Sequence, residues 1–484
     1  MKRKFPGNKF FSNVVAAVIA AVCFGSVPSA YATEGWAGSG CASAESLRAI
    51  VDQGFNTGQP PVAGISVAVL KPGCGTLLHV QGKRDVVAGK DMTTTTRMHI
   101  ASLTKPVTGA LILKVLTHWA PHDPDAFLNT PVSDFFSTAE LQQLTSNCSD
   151  SFQINATDRE TGALAPTVGL CPDFSAITLW HLIRAHSGLI SSEELDVNQN
   201  GLTDAQDYVL GNWLRAVGIP TFPPFAEPTT AFGVLDVHNM YRHSTATIGG
   251  NAATDFPASL GNTEYELLGI ILERITGLSY NSLAQFFITD PLGLDRMILL
   301  PTIPSAQVEN RRQISRAYMD IKGVPAPLTE DANGGVYPVV QLRGGRPGVD
   351  LYELDSWSMD NGAGGAGALA ASMKTYATFF GKFIGGGLLS PSMQQFFNEG
   401  FVEIGFGPTV TYGFGVQRSD GIPIEGLGTL FQKTGALFGT YCITLHSTGS
   451  KATIVACVNQ RDIAEGQVPS LVNGVAQELL FATL

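Results

Sequence analysis

Three side chains from two distant segments of the chain could make one reaction centre: Ser102 and Lys105 from one, Lys433 from the other. In Ile100-Ala101-Ser102-Leu103-Thr104-Lys105-Pro106 the serine and the lysine are three residues apart, a spacing that puts both on one face of a helix. A lysine taken out of water and set near a second cation loses proton affinity from its free value of ~10.4 and can accept the serine proton. That chemistry produces an activated oxygen nucleophile for attack on a carbonyl. Lys433-Thr434-Gly435, placed after the apolar run Leu427 to Phe431 and before Ala436, offers a cation, a hydroxyl and a close-approach glycine. On a strand edge such a triplet can hold a substrate carboxylate.

The elements that must position these groups can be read on either side of them. Pro106 is tolerated only in a first helical turn, so Ser102 is expected at the start of a helix whose body, Val107 to Leu116, is apolar all round and therefore buried. Its free N–H groups favour developing negative charge. A helix-like stretch from Ala44 to Val51 precedes two strand-like runs, Ala63 to Val69 and Thr76 to Val80, joined by a Pro-Gly turn. Further strand-like runs fall at Tyr412 to Val416, Thr429 to Lys433, Gly439 to Leu445 and Ala452 to Val458, with a helical tail from Val468 to Leu480. The expected fold class is α+β: one antiparallel sheet built from both chain ends and flanked by helices, with a mainly helical subdomain inserted over roughly 115–400.

Composition bounds the rest. The chain has 484 residues, 44% hydrophobic and 15% charged, with 30 Lys+Arg against 41 Asp+Glu, which excludes a disordered or fibrous class. Lys2, Arg3, Lys4 and Lys9 precede an apolar run and the small-residue site Ala30-Tyr31-Ala32, so residues 1–32 read as a secretory signal and 33–484 as the exported catalytic domain, periplasmic or extracellular. Losing that segment leaves 26 basic against 41 acidic residues, a net charge of −15 that disfavours nucleic acid and anionic membrane as partners. No later run reaches the ~18 apolar residues of a membrane span, so no membrane anchor is expected. Six cysteines remain without Cys23, and an even number in an exported chain reads as disulfides. Cys442 and Cys457 flank a hairpin turn and should pair, whereas Cys41 with Cys74 and Cys148 with Cys171 follow only from proximity in sequence.

The segment Ile100 to Pro106, His186-Ser187-Gly188-Leu189, the stretch Asn262 to Gly277 and Lys433-Thr434-Gly435 occur in an order that resembles the serine beta-lactamase-related family, which groups class C beta-lactamases, D-alanyl-D-alanine carboxypeptidases and esterases. Gly364 to Gly367, Leu388 to Pro391 and Tyr412 to Gly415 extend the similarity over roughly Ser46 to Leu480. The resemblance implies a penicillin-recognising fold and an acyl-enzyme on Ser102 assisted by Lys105, with no cofactor for catalysis. It also implies an oxyanion hole from the N–H groups of Ser102 and Ala436, and a small-molecule or peptide substrate such as a D-alanyl peptide, a beta-lactam or a small ester.

The family's Tyr-x-Asn motif is broken here. Asn262 is present, but Leu260 stands where the proton-shuttling tyrosine belongs, and leucine can neither give nor take a proton. Tyr241, His243 and Tyr265 are the nearby substitutes, each also readable as structural, and a catalytically impaired binding protein is the alternative function. Thr263 and Glu266 are expected to form a capping box at the start of the following helix. A separate pattern lies in an insertion over roughly 190–260. Asp196, Asn198, Asn200, Asp204 and Asp207, with Gly201 at the turn and the backbone oxygen of Leu202, have the spacing of a structural calcium loop.

Overall fold

The computed structural model describes residues 36, 40–58, 61–145, 152–157, 164–189, 195–196, 242–243, 261–299, 314–320, 339–343, 346–350, 364–404, 409–437, 439–462 and 467–484. From the N-terminal side, helix α1 (Ala44–Thr57) leads into strands β1 (Gly64–Lys71), β2 (Gly75–Asp85), β3 (Lys90–Asp91) and β4 (Met98–His99). Helix α2 (Thr104–Trp119), helix α3 (Thr263–Thr276), strand β5 (Leu369–Ala371) and helix α4 (Met373–Gly385) follow. The C-terminal part supplies β6 (Val402–Glu403), β7 (Val410–Gly413), β8 (Val416–Ser419), β9 (Leu430–Leu437), β10 (Thr440–Ser447), β11 (Thr453–Val458) and helix α5 (Gln467–Ala482).

These strands make a nine-stranded sheet in the order β6-β7-β8-β9-β10-β11-β1-β2-β3. The seam between the chain ends is the antiparallel pair of β1 with β11, Ile65 opposite Val458. Both ends of the chain therefore build the sheet, as expected for the beta-lactamase/transpeptidase-like fold. Alternation assigns its two faces. Ile65, Val67, Val69, Ile443, Leu445, Ile454 and Ala456 pack with Leu47, Val51 and Phe55 of α1 and Val472 and Leu479 of α5. On the other face Ala68, Phe431, Cys442, Val455 and Cys457 join α2 and α4 in the larger core.

Cys442 and Cys457 are opposite one another on β10 and β11 and are bonded, as are Cys41 and Cys74. Cys171 is also disulfide-bonded, while Cys148 lies outside the described residues. So do residues 1–32, where a signal is expected, and the motif position Leu260. Of the calcium pattern only Asp196 is described, in a short strand whose backbone pairs with Asn155. Asn198, Asn200, Leu202, Asp204 and Asp207 are outside the described residues. No helix among the described residues is long and apolar enough to cross a membrane.

Two local expectations are corrected. The run Tyr412 to Val416 is not one strand: it breaks between β7 and β8 at Phe414 and Gly415, which have φ of 53° and 81°. A Cβ on Gly415 would lie 2.3 Å from the carbonyl carbon of Lys105, so this turn seats directly on the first turn of α2. The capping box at α3 is also absent in the expected form. Asn262, not Thr263, occupies the N-cap, and it makes no side-chain cap bond, because its amide oxygen is engaged elsewhere.

Candidate active site

Helix α2 is preceded by a tight 3₁₀ turn, Ala101–Leu103, that carries Ser102. Ala101 has φ +50°, a left-handed conformation that a non-glycine residue holds only when its surroundings enforce it. The surroundings do so from several sides. The Ile100 N–H donates to the Leu369 carbonyl at 3.0 Å, and the Leu369 N–H donates to Thr104 Oγ1 at 3.2 Å. The Tyr376 hydroxyl of α4 donates to the Leu103 carbonyl at 2.7 Å, and Thr440 Oγ1 of β10 donates to the His99 carbonyl at 3.1 Å. No residue pattern signals the Tyr376 contact, since a tyrosine on the apolar face of an amphipathic helix reads as core.

Lys105 falls in the first turn of α2 and is 1% exposed. Its Nζ is 2.9 Å from Ser102 Oγ and also donates to Asn262 Oδ1. Asn262 is itself buried at the head of α3, and its carbonyl accepts the Glu266 N–H at 2.9 Å. The next residues lock that helix end in place. The Ser187 hydroxyl of the His186-Ser187-Gly188-Leu189 turn donates to Glu264 Oε1 at 2.8 Å. The nucleophile turn and the head of α3 thus meet at one lysine, and the turn at Ser187 holds the head of α3 through Glu264.

The fourth motif arrives on β9. Along this strand Phe431, Lys433 and Gly435 alternate onto the α2 face, and Gly435 sits against the nucleophile turn. A Cβ there would lie 2.4 Å from the Ile100 carbonyl oxygen and 3.1 Å from the Leu103 nitrogen. Only glycine lets the strand approach so closely. Lys433 keeps part of its surface exposed, yet burial of its ammonium and then the nearby charge of Lys105 pull its pKa down to about 7. It has no hydrogen-bond partner among the described residues. Thr434 is exposed, and Ala436 is half-buried beside Gly435. Ser102, Lys105, Asn262, Lys433, Gly435 and Ala436 are therefore gathered in one place, with Thr434 at its rim.

Of the tyrosine substitutes, the one whose side chain is described, Tyr265, is not gathered there. Tyr265 is fully buried and donates to the Ile183 carbonyl at 2.9 Å, with its pKa raised by burial and by Tyr412. It braces α3 and does not face the serine. Tyr241 lies outside the described residues, and His243 is in a short strand paired with Gly169. Among the described residues no group of three His, Cys, Asp or Glu could hold a metal ion.

The sequence profile described as Beta-lactamase matches residues 47–216 and 261–468. No curated protein matches the sequence. Among solved structures, the D-amino acid amidase from Ochrobactrum anthropi SV3, complexed with L-phenylalanine, superposes with a TM-score of 0.60 at 18% identity, covering 91% of this chain and 99% of that one. The octameric penicillin-binding protein homologue from Pyrococcus abyssi gives 0.57 at 19%, covering 90% and 77%. EstCE1, a hydrolase with promiscuous acyltransferase activity, gives 0.51 at 15%, covering 90% and 98%. At these identities the likeness shows the fold.

Proposed function

Because the chain belongs to the beta-lactamase family, we propose that it is an exported serine hydrolase that forms an acyl-enzyme on Ser102 with amide or ester substrates bearing a carboxylate, such as a D-alanyl peptide, a beta-lactam or a small ester. The observation that carries this reading is the buried Nζ of Lys105, within 2.9 Å of Ser102 Oγ and also hydrogen-bonded to Asn262 Oδ1. Burial and then the nearby charge of Lys105 disfavour the Lys433 ammonium, and in this scheme Lys105 is the lysine that acts in its neutral form. A neutral Lys105 can donate one N–H to Asn262 and accept the Ser102 proton. Ser102 Oγ then bonds to the substrate carbonyl carbon, and the C–N or C–O bond to the leaving group breaks as Lys105 returns the proton to that group. Water attacks the ester carbonyl in the second half, giving the acid and restoring the serine.

With leucine at 260, Lys105 handles both proton transfers in this scheme. Lys433, desolvated and without a partner among the described residues, supplies the positive charge that a substrate carboxylate would neutralise. The same leucine favours a second reading, a penicillin-recognising protein whose turnover is impaired. A fluorescent penicillin and a fluorophosphonate probe, followed by intact mass, separate the two. Labelling of the wild type but not of Ser102→Ala, with the adduct hydrolysing over time, supports the hydrolase. A stable adduct supports the impaired protein, and no labelling by either probe rejects acylation on Ser102.

A further inference from the structure

Strand β10 carries five polar side chains besides its disulfide cysteine: Thr440, Tyr441, Thr444, His446 and Ser447. Four of them have partners. Thr440 Oγ1 lies 3.1 and 3.0 Å from the His99 and Val458 carbonyl oxygens, the Tyr441 hydroxyl donates to Asn473 Oδ1 at 3.1 Å, and the Ser447 hydroxyl donates to the Leu427 carbonyl at 2.6 Å. His446 Nδ1 and Thr453 Oγ1 are 2.8 Å apart. The fifth, Thr444, is fully buried, and its hydroxyl has no hydrogen-bond partner among the described residues.

That hydroxyl has a cation for its nearest cross-strand neighbour. Thr444 is directly opposite Lys433 of β9, and alternation turns both side chains to the face that carries Cys442 and Phe431. Residues so opposed have Cβ atoms about 4.5–5.5 Å apart, close enough for a flexible lysine stem to bring its ammonium to a threonine hydroxyl. The row continues through Val455 of β11 and Ala68 of β1, both in the larger core. Valine would extend that apolar row in the same shape as threonine, so a buried hydroxyl here costs stability unless its oxygen is used. Lys433 has the complementary need: its ammonium is desolvated and is without a partner among the described residues. An ammonium offers three N–H donors and no acceptor, and a hydroxyl oxygen offers two lone pairs. With one N–H on Thr444, Lys433 keeps two for an anion at the edge of β9, and less side-chain freedom is lost when that anion binds.

We propose that Thr444 is a positioning residue for Lys433, its hydroxyl oxygen accepting one N–H of the ammonium and holding it at the edge of β9 for the substrate carboxylate. This rests on the reading of Lys433 as the carboxylate-binding cation, and Thr444 acts only through that lysine. The test uses Thr444→Val, which keeps the shape and removes the acceptor, and Thr444→Ser, which restores the acceptor. Ser66→Ala is the control: it removes another buried hydroxyl without a partner among the described residues, one whose cross-strand neighbours are Val80 and Cys457. Ser102 labelling is followed against concentration for a fluorescent penicillin, which carries a carboxylate, and for a fluorophosphonate, which does not. In parallel the affinity for the penicillin is measured with each variant in a Ser102→Ala background, where no acyl-enzyme forms on Ser102. In Thr444→Val both the half-saturating concentration and the dissociation constant of the penicillin should rise about fivefold, the effect of one lost hydrogen bond. The limiting labelling rate and the fluorophosphonate rate should be unchanged, and Thr444→Ser and Ser66→Ala should match the wild type. Unchanged penicillin affinity in Thr444→Val, an equal slowing of both probes, an equal loss in Ser66→Ala, or a serine variant no better than valine overturns the proposal. If neither probe labels the wild type, acylation on Ser102 is rejected, and the affinities in the Ser102→Ala background still decide the role of Thr444, with absence of penicillin binding there overturning it.

Discussion

The two halves of strand β9 lie on the same sheet face and do opposite things. Leu430 to Gln432 are paired on both sides, with β8 through Gln417, Arg418 and Ser419 and with β10 through Leu445, His446 and Ser447. Phe431, 4% exposed, packs there against Phe397 and Phe401 with ring centroids 6.2 and 5.8 Å away. From Lys433 to Leu437 the ladder continues with β10 alone, and no strand among the described residues pairs the outer edge. One half is paired with a strand on each side and filled with apolar contact. The other keeps a desolvated ammonium and an unpaired edge beside the nucleophile turn. A fold that needed only stability would have continued the first pattern, so the second half is where the proposed chemistry would be set against stability.

The sharpest way to break that contrast is at the proposed base, Lys105. Lys105→Met keeps the stem of the side chain and removes the proton acceptor. The rate of Ser102 labelling by a fluorescent penicillin should fall by about 10³-fold, within the ~10²–10⁴ typical of general-base loss, while the circular dichroism of the folded protein is retained. An unchanged labelling rate would mean that another group activates Ser102. Phe431→Ala should do the reverse, costing about 3–5 kcal/mol of stability in urea unfolding and leaving labelling of the folded fraction within a few-fold.

Lys433→Met tests whether the second half is indeed held against stability. The folded pKa is about 7 against an ordinary 10.5, so between those values the unfolded chain binds more protons than the folded one. Stability should therefore climb as pH rises from about 7 towards about 10, with the full penalty present below 7, where both states carry the charge. The Met variant should lose this climb and gain a few degrees in Tm at neutral pH, read by thermal unfolding from pH 6.5 to 9. For function the sign is opposite. A carboxylate-bearing substrate needs the charged form, so its KM should rise as pH passes about 7 in the wild type and be high and flat in the variant. The loss in kcat/KM at pH 6.5 should be about 10–100-fold, the worth of one charged hydrogen bond, with a neutral ester far less affected.

How much of this was legible before the coordinates follows the same division. The terminal strands could be read because their faces alternate cleanly, and the Cys442–Cys457 pair because a hairpin turn separates the two. Ser102 and Lys105 could be placed because Pro106 permits only a first turn. The head of α3 was misassigned to a capping box because a local pattern at Thr263 and Glu266 says nothing of Lys105, which claims Asn262 from 157 positions away. The break at Phe414 was missed for a related reason: a positive φ on a phenylalanine is enforced by packing against α2 and has no signature in the residue itself.

Tyr376 is the residue that no pattern disclosed, and it carries the smallest expected effect. Its hydroxyl, fully buried, donates to the Leu103 carbonyl at 2.7 Å, one residue beyond the nucleophile and in a turn that already holds Ala101 at φ +50°. Tyr376→Phe keeps the ring stacked on Phe380 and removes one neutral hydrogen bond, which should cost about 1 kcal/mol in urea unfolding. A purely structural role would end there. If the bond also fixes the attacking oxygen, the labelling rate of Ser102 should drop several-fold with the probe's binding constant unchanged, because the lost constraint acts on orientation and not on substrate contact. Equal labelling rates in the two proteins would assign the turn's geometry to the bonds made by Ile100, Leu369 and Thr440.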